Sequence, residues 1–260
     1  MAKAPSVWEK AILQTLENHD GLVSLTDLYS EVPKYVGNTN AGDLNHTIRG
    51  YLYRLKIKKQ LIKQVGLSSY ALSDKELEEG IFEKIEQHPE ETKIELLEKI
   101  PKEQMHGYAE GMLVELGKIR GLQTYTPDKK VKFNGVLLGD IIDIKEIPDF
   151  TYDGIIDLIK NIDVIWFEDG FPVATFDVEN STDFTKGFLR AFQLKSFKCK
   201  FNLVADTKKD NVYKTRLEYQ PFVKIKSDYN FISYSDLIDE YRSAFNYQKS
   251  LNNTVIKVWV

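Results

Sequence analysis

Apolar positions near the start of the chain recur with helical spacing and then switch to alternation. Trp8, Ala11, Ile12 and Leu16 fall at three- and four-residue steps, which predicts a helix over Val7 to His19 that Gly21 stops. Leu22 to Leu25 reads as a short extended piece, and Thr26 precedes a second helix, Asp27 to Val32, ended by Pro33 and the polar loop at 37–42. Asp43 is placed to cap a third helix with Leu44, Ile48, Leu52 and Leu55 on its apolar stripe. Leu61 to Val65 and Tyr70 to Leu72, separated by the turn Gly66 to Ser69, predict a small β-hairpin.

Residues 75–104 carry two acidic amphipathic helices, Lys75 to His88 and Lys93 to Ile100, the second ended by Pro101; they read as a helical linker. The remainder, 105–260, alternates helices and strands. Tyr108 to Arg120 predicts a helix and Leu122 to Thr126 an extended piece. Ile162 to Phe167 and Val173 to Val178 are near-continuous apolar strands. Thr185 to Phe197 is an amphipathic helix, Asn202 to Ala205 a strand, and Tyr219 to Ile225 a candidate further strand. Strands this apolar predict a sheet covered on both faces, and so an α/β domain.

Three helices closed by a hairpin is the layout of a winged helix-turn-helix. The stretches His46 to Leu55 and Leu61 to Asp74 resemble the third helix and wing of that superfamily, including versions fused to restriction enzymes; the resemblance covers residues 5–74. Winged helices bind DNA, and some bind proteins instead. Overall charge is slightly acidic, with 35 Lys and Arg against 39 Asp and Glu, but it is unevenly spread. Leu44 to Ser73 holds no acid, while Arg49, Arg54, Lys56, Lys58, Lys59 and Lys63 fall there. The expected DNA-binding set is therefore Asn45, His46, Thr47 and Arg49 on a helix in the major groove, with Arg54, Lys63, Gln64 and the wing at phosphates or the adjacent groove.

The stretch that carries chemistry runs from Ile162 to Asn180. Two apolar strands joined by a turn bear Asp163, Asp177 and Glu179. Carboxylates in such strands are costly without compensation, and a divalent cation compensates several at once. Alternation puts Asp177 and Glu179 on one face. A two-residue turn, Asp169-Gly170, would set Asp163 opposite Phe176 and on the wrong face. A three-residue turn, Glu168-Asp169-Gly170, would set it opposite Thr175 and on the right one. Gly170 stands at the left-handed last position that three-residue loops favour, so the longer turn is expected. Hard oxygen ligands suit Mg2+ or Mn2+.

Asp163 followed by Asp177-Val178-Glu179 resembles the PD-(D/E)XK nuclease superfamily in its restriction-endonuclease-like members, over about residues 105–206. Ile162 stands where the motif has proline, and Glu179 where it has lysine; some restriction enzymes carry glutamate there, and in others the lysine has moved to the neighbouring helix, where Lys195 or Lys186 would serve. The resemblance implies that Asp163 and Asp177 hold a metal and that Glu179 orients or deprotonates the water. It also implies a supporting glutamate on the first helix, Glu110 or Glu115. Gln193 to Phe197 resembles the Q-x-x-x-Y/F element of some members. For Gln193 and Lys195, the polar flank of an amphipathic helix is the competing reading.

The other candidates are thin. His19, His46, His88 and His106 are scattered, although His106 lies four residues before Glu110. The single Cys199 permits no internal disulfide and reads as a small packed residue. No phosphate loop, secretory signal or membrane-length apolar run is present, so a cytoplasmic protein is expected. The sequence thus predicts a two-domain α+β and α/β protein. A winged helix spans 1–74, a linker 75–104, and a mixed sheet flanked by helices 105–260. The expected activity is that of a metal-dependent, type II restriction-like endonuclease acting on double-stranded DNA, with a homodimer supplying one centre per strand. A DNA-binding regulator with an inactive nuclease-like domain is the alternative.

Overall fold

The computed structural model describes residues 5–37, 43–180, 184–220 and 222–253, so most of the loop expected at 37–42 lies outside the described residues. Helix α1 (Val7–Asn18) opens with a capping box between Ser6 and Glu9. It closes where Asp20 and Gly21 turn left-handed and the Gly21 N–H reaches the Leu16 carbonyl at 2.7 Å. Strand β1 (Leu22–Ser24) leads into α2 (Leu25–Val36), which Ser24 caps. Pro33 does not end this helix as expected. It withholds one N–H, but α2 continues to Val36 and stops only where Gly37 takes φ 75°. Asp43 caps α3 (Leu44–Tyr53) by accepting the His46 N–H at 3.0 Å. A π-helical turn over 54–59 follows and ends at left-handed Gln60.

Strands β2 (Ile62–Gln64) and β3 (Ser69–Leu72) form the expected hairpin, and β1 completes it as a three-stranded antiparallel sheet with β3 in the middle. Leu22 faces Ala71 and Ile62 faces Leu72 across it. Ile12, Leu16, Leu28, Ile48, Leu52 and Leu55 fill the core beneath, all of them essentially inaccessible.

Helix α4 (Ile81–Gln87) is shorter than predicted, because the chain before Gly80 is not helical, and α5 (Lys93–Glu98) stops two residues before the predicted Ile100. A Cβ at Gly80 would lie 2.5 Å from the Cα of Asn134, so the segment turns into the body there. Ile81, Phe82, Ile85 and Leu96 join the apolar cluster of the larger sheet. The stretch read as a linker is built into that core.

After α5 come α6 (Met105–Ile119), β4 (Gln123–Tyr125), a two-stranded ribbon of β5 (Lys132–Phe133) and β6 (Val136–Leu137), and α7 (Leu138–Ile141). The chain continues through α8 (Asp153–Ile159), β7 (Val164–Glu168), β8 (Phe171–Val178), α9 (Thr185–Gln193) and β9 (Lys200–Ala205). It ends its described part with α10 (Asp210–Leu217), β10 (Tyr229–Ser233) and α11 (Tyr234–Asn253). The main sheet has the order β10-β9-β8-β7-β4; β8, β9 and β10 run parallel, and β7 and β4 are antiparallel additions.

Both faces are covered, as the apolar strands predicted. Helices α6 and α11 pack over Val164, Trp166, Phe176 and Val178. Helices α9 and α10 cover Ile165, Phe167, Phe201 and Leu203. The described residues between Tyr219 and Ile225 do not form the expected strand. Phe222 and Ile225 bond back three residues, to Tyr219 and Phe222, and make tight turns that drop both apolar side chains onto α9's layer. The last strand is β10 instead.

The tip of the small hairpin is buried, with Leu67, Ser68 and Ser69 each about 1% exposed. Glu115, deep in α6, accepts the Leu67 N–H at 2.8 Å and the Ser68 N–H at 3.3 Å, and takes the Tyr241 hydroxyl of α11 as well. Gly66 makes this approach feasible, since a Cβ there would sit 2.1 Å from Glu115 Oε1. The hairpin tip is therefore a docking element of the protein itself and is not held out as a wing. Among the described residues, no helix is long and apolar enough to cross a membrane.

Candidate active site

The β7–β8 hairpin sets Asp163 across from Asp177 by a route other than the one expected. Its turn is the two-residue Asp169-Gly170, both left-handed at φ 50° and 82°. Glu168 pairs with Phe171 and Phe167 with Pro172, but Trp166 then pairs with Ala174. The register shift inserts one extra residue into β8, a β-bulge. Val164 consequently faces Phe176, and one further step sets Asp163 opposite Asp177. The shorter turn would have put Asp163 on the wrong face; the bulge reverses that.

Asp163 stands just before β7, partly buried, and its Oδ2 accepts the Val178 N–H at 2.6 Å. Burial, with the Asp177 charge adding to it, pushes its carboxyl up to about 6. Asp177 is 3% exposed on the face covered by α9. Its Oδ1 takes two donors from Arg190, Nε at 3.0 Å and Nη2, while its Oδ2 is buried without a hydrogen-bond partner. Gly187 lets α9 come this close, because a Cβ there would be 3.2 Å from Asp177 Cγ. Burial raises the Asp177 carboxyl, and Arg190 opposes the rise. Glu179 follows β8, half-buried; its N–H donates to the Val204 carbonyl at 2.9 Å, and its own carbonyl accepts from Lys209 at 3.0 Å.

The other side of this sheet end is closed by the start of α6. Glu110 is fully buried and neither carboxylate oxygen has a hydrogen-bond partner; His106 Nε2 lies 3.4 Å from it and 3.9 Å from Asp163. Burial drives the Glu110 carboxyl up to about 8, and the Glu110 carboxylate holds the His106 imidazole up at about 8. Of the two glutamates proposed for this helix, Glu110 is therefore at the site. Glu115 is not: it serves the hairpin tip.

Lys195 and Gln193 are not brought to the carboxylates. Helix α9 ends at Gln193, whose amide donates to the Leu189 carbonyl at 3.3 Å, and Lys195 lies past its end over the Phe192 ring at 3.9 Å. Lys186 is exposed on the same helix. The cation that α9 does supply is Arg190, one turn before Gln193, and a second amine, Lys209, arrives from the segment after β9. Neither was expected from the sequence, nor was the exposed Asp128, which has a carboxylate oxygen within 4.8 Å of ligand atoms of His106 and Glu110. Lys209 was recoverable in principle, since β8 and β9 run parallel and segments leaving their C-terminal ends meet at one edge.

The expected DNA-binding residues divide. Asn45, His46, Arg49 and Arg54 are exposed on α3 and the turn after it, with Arg49 donating to the Tyr29 hydroxyl and Arg54 lying 4.7 Å from the Tyr51 ring. Thr47 is half-buried and donates to the Asp43 carbonyl at 2.8 Å. Gln64 is used internally: its amide reaches the Gly66 carbonyl at 3.0 Å and its carbonyl accepts from Lys56 at 3.2 Å. Lys63 is half-buried beside it on β2. Lys59 pairs with buried Glu9 at 2.9 Å, so part of the basic stretch neutralises the protein's own acids.

No curated protein and no solved structure matches the chain. A family model does, the Type II restriction enzyme NmeDI C-terminal domain, over residues 86–257, about two thirds of the chain and the whole of the main sheet. The chain with the acid-lined sheet end described above thus belongs to the family of the Type II restriction enzyme NmeDI C-terminal domain.

Proposed function

We propose that this protein is a restriction-type DNA endonuclease with a PD-(D/E)XK-like centre at Asp163, Asp177 and Glu179, supported by Glu110. One observation carries the reading: buried acids outnumber their compensation at one sheet end. Asp177 Oδ2 and both oxygens of Glu110 are buried without hydrogen-bond partners, and the Asp163 carboxyl is pushed upward beside them. Orphaned carboxylate oxygens of this kind fit a hard divalent cation. Asp163, Asp177 and Glu179 would hold Mg2+, or Mn2+ in its place. When bound, that ion supplies Lewis-acid activation of water and stabilises the oxygens of a phosphodiester. Arg190 holds Asp177 in one rotamer through two donors and puts a fixed positive charge beside the centre, the part usually given to a lysine.

On this reading the N-terminal 1–74 module is a winged helix that contributes site selection through α3, with Asn45, His46, Arg49 and Arg54 outward. Residues 105–260 form the nuclease domain, joined to the module by 75–104. The substrate is double-stranded DNA, and a homodimer would supply two centres for two strands. Incubation with plasmid DNA in several methylation states, with Mg2+ or with EDTA, tests the proposal. Cleavage with Mg2+, abolished by EDTA, Asp163→Ala or Asp177→Ala while DNA binding survives, is expected. Absence of cleavage on every substrate would sink it.

Two features favour the second reading, a DNA-binding regulator with an inactive centre. Glu179 stands at the lysine position, and Arg190 already occupies Asp177 Oδ1. Sequence-specific binding without cleavage would select it.

A further inference from the structure

We propose that His106, Glu110 and Asp128 form a second divalent-cation site beside the hard-oxygen centre, selective for a transition-metal ion such as Zn2+ through the His106 imidazole. The inference rests on that reading to the extent that Glu110 also supports the hard-oxygen centre; His106 and Asp128 belong to the second site alone. One ligand atom from each of the three lies within 4.8 Å of the other two. The 3.4 Å between His106 Nε2 and Glu110 Oε1 matches the edge of a tetrahedron around an ion about 2.1 Å from each ligand.

The observation that points to an ion among these three residues is the state of Glu110. It is completely buried, aimed into the cluster, and neither of its oxygens has a hydrogen-bond partner. A buried carboxylate left in that state is costly, and one half-buried imidazole at 3.4 Å is a weak counterpart. A cation between the three groups supplies what is missing.

The backbone is arranged to bring the third ligand over. His106 and Glu110 are one helical turn apart and share a face of α6. Asp128 comes from the turn after β4, where its N–H donates to the buried Thr126 Oγ1 at 3.2 Å and its carbonyl accepts the Val131 N–H at 3.0 Å. That turn lies directly on α6 at Gly107, where a Cβ would come within 2.5 Å of Val131 Cγ1. The site is closed at Glu110 and open at the exposed Asp128, which gives an ion its entry path. An imidazole nitrogen favours zinc-class ions over Mg2+, whose preference is for oxygen.

The full chain, labelled with 15N-histidine, is titrated with ZnCl2 in a large excess of Mg2+, which keeps hard-oxygen positions filled. The chain has four histidines, and His19→Gln, His46→Gln and His88→Gln assign the His106 ring signals by elimination. Zn2+ is expected to shift the His106 ring nitrogen. Calorimetry of His106→Gln and Glu110→Gln should then read Zn2+ binding at least tenfold weaker than wild type. Zn2+ that leaves the His106 ring nitrogen unmoved, or binds His106→Gln as tightly as wild type, overturns the proposal. The labelling experiment needs no change at the site, so it holds where a site variant fails to fold. Zn2+ binding without any DNA cleavage would defeat the nuclease reading alone; Mg2+-dependent cleavage with His106 unmoved would defeat this inference alone.

Discussion

Asp163 lies opposite Asp177 because β8 carries one residue more than its partner strand, and the Val178 N–H fixes Asp163 there at 2.6 Å. Arg190 completes the arrangement from α9. Its two donors to Asp177 Oδ1 leave the other oxygen buried and without a hydrogen-bond partner. On the proposed function, Arg190→Ala removes a fixed positive charge close to where charge would develop on the phosphodiester. Cleavage should fall by roughly 10²–10³-fold. Arg190→Lys should recover only part of it, because one ammonium cannot reproduce the two-point contact. Single-turnover rates at saturating Mg2+ check this, and an unchanged rate in Arg190→Ala would remove Arg190 from the mechanism.

Glu115 ties the hairpin tip to α6 and α11. Glu115→Ala leaves the buried Leu67 and Ser68 N–H groups and the Tyr241 O–H donor without an acceptor, although Tyr241 still accepts from Asn134, a cost on the order of 1–3 kcal/mol for each donor that finds no water. Urea unfolding should therefore show a loss of several kcal/mol. Gly66→Ala should destabilise comparably for a steric reason. Stability within about 0.5 kcal/mol of wild type in both would contradict the described packing.

Glu9 sets a pH dependence of stability. Its burial alone would raise the carboxyl, but the Ser6 N–H, the Lys59 ammonium and the Ser6 hydroxyl bring it below the usual value. A carboxyl depressed in the folded state contributes stability above its unfolded pKa and loses it as pH falls through the folded one. Glu9→Gln should accordingly be less stable than wild type at pH 7, by roughly 1–2 kcal/mol, with the two converging as pH falls below the ordinary glutamate range. Thermal denaturation across that range reads the difference. A gap that stays constant with pH would exclude an ionic origin.

Cys199 is 4% exposed, and burial pushes its thiol up to about 12. At pH 8 the native protein should react with an aromatic disulfide reagent at least roughly 10³-fold more slowly than the unfolded chain, because so little thiolate is present. Stoichiometric labelling within seconds, before denaturant is added, would show an accessible thiol.

The helices, the hairpin and the buried strands were legible because each rests on local spacing. Asp43, Gly21 and the stripe of Ile48, Leu52 and Leu55 behave as their positions suggest. The carboxylate pair was legible in outcome but not in cause. Gly170 pointed to a three-residue turn, whereas a two-residue turn plus a bulge gives the same parity. Choosing between Glu110 and Glu115 was beyond the sequence, since five residues along a helix rotate a side chain by about 140° and only docking decides which side meets the sheet end. Asp128 and Lys209 reach the site from segments far away in the chain, and no local pattern marks them. Lys195 failed because the helix stops at Gln193, short of the length its amphipathic pattern suggested.

The buried hairpin tip has a consequence for how the molecule would measure DNA. Leu67 and Ser68 are fastened to the same α6 that carries Glu110 to the acids. On the proposed function, the reading helix and the cutting centre then form a caliper with a locked jaw. Its scissions would fall a constant number of base pairs from the recognised sequence, and a sequencing library of product ends would show one sharp offset where a tethered, swinging reader would leave a broad spread.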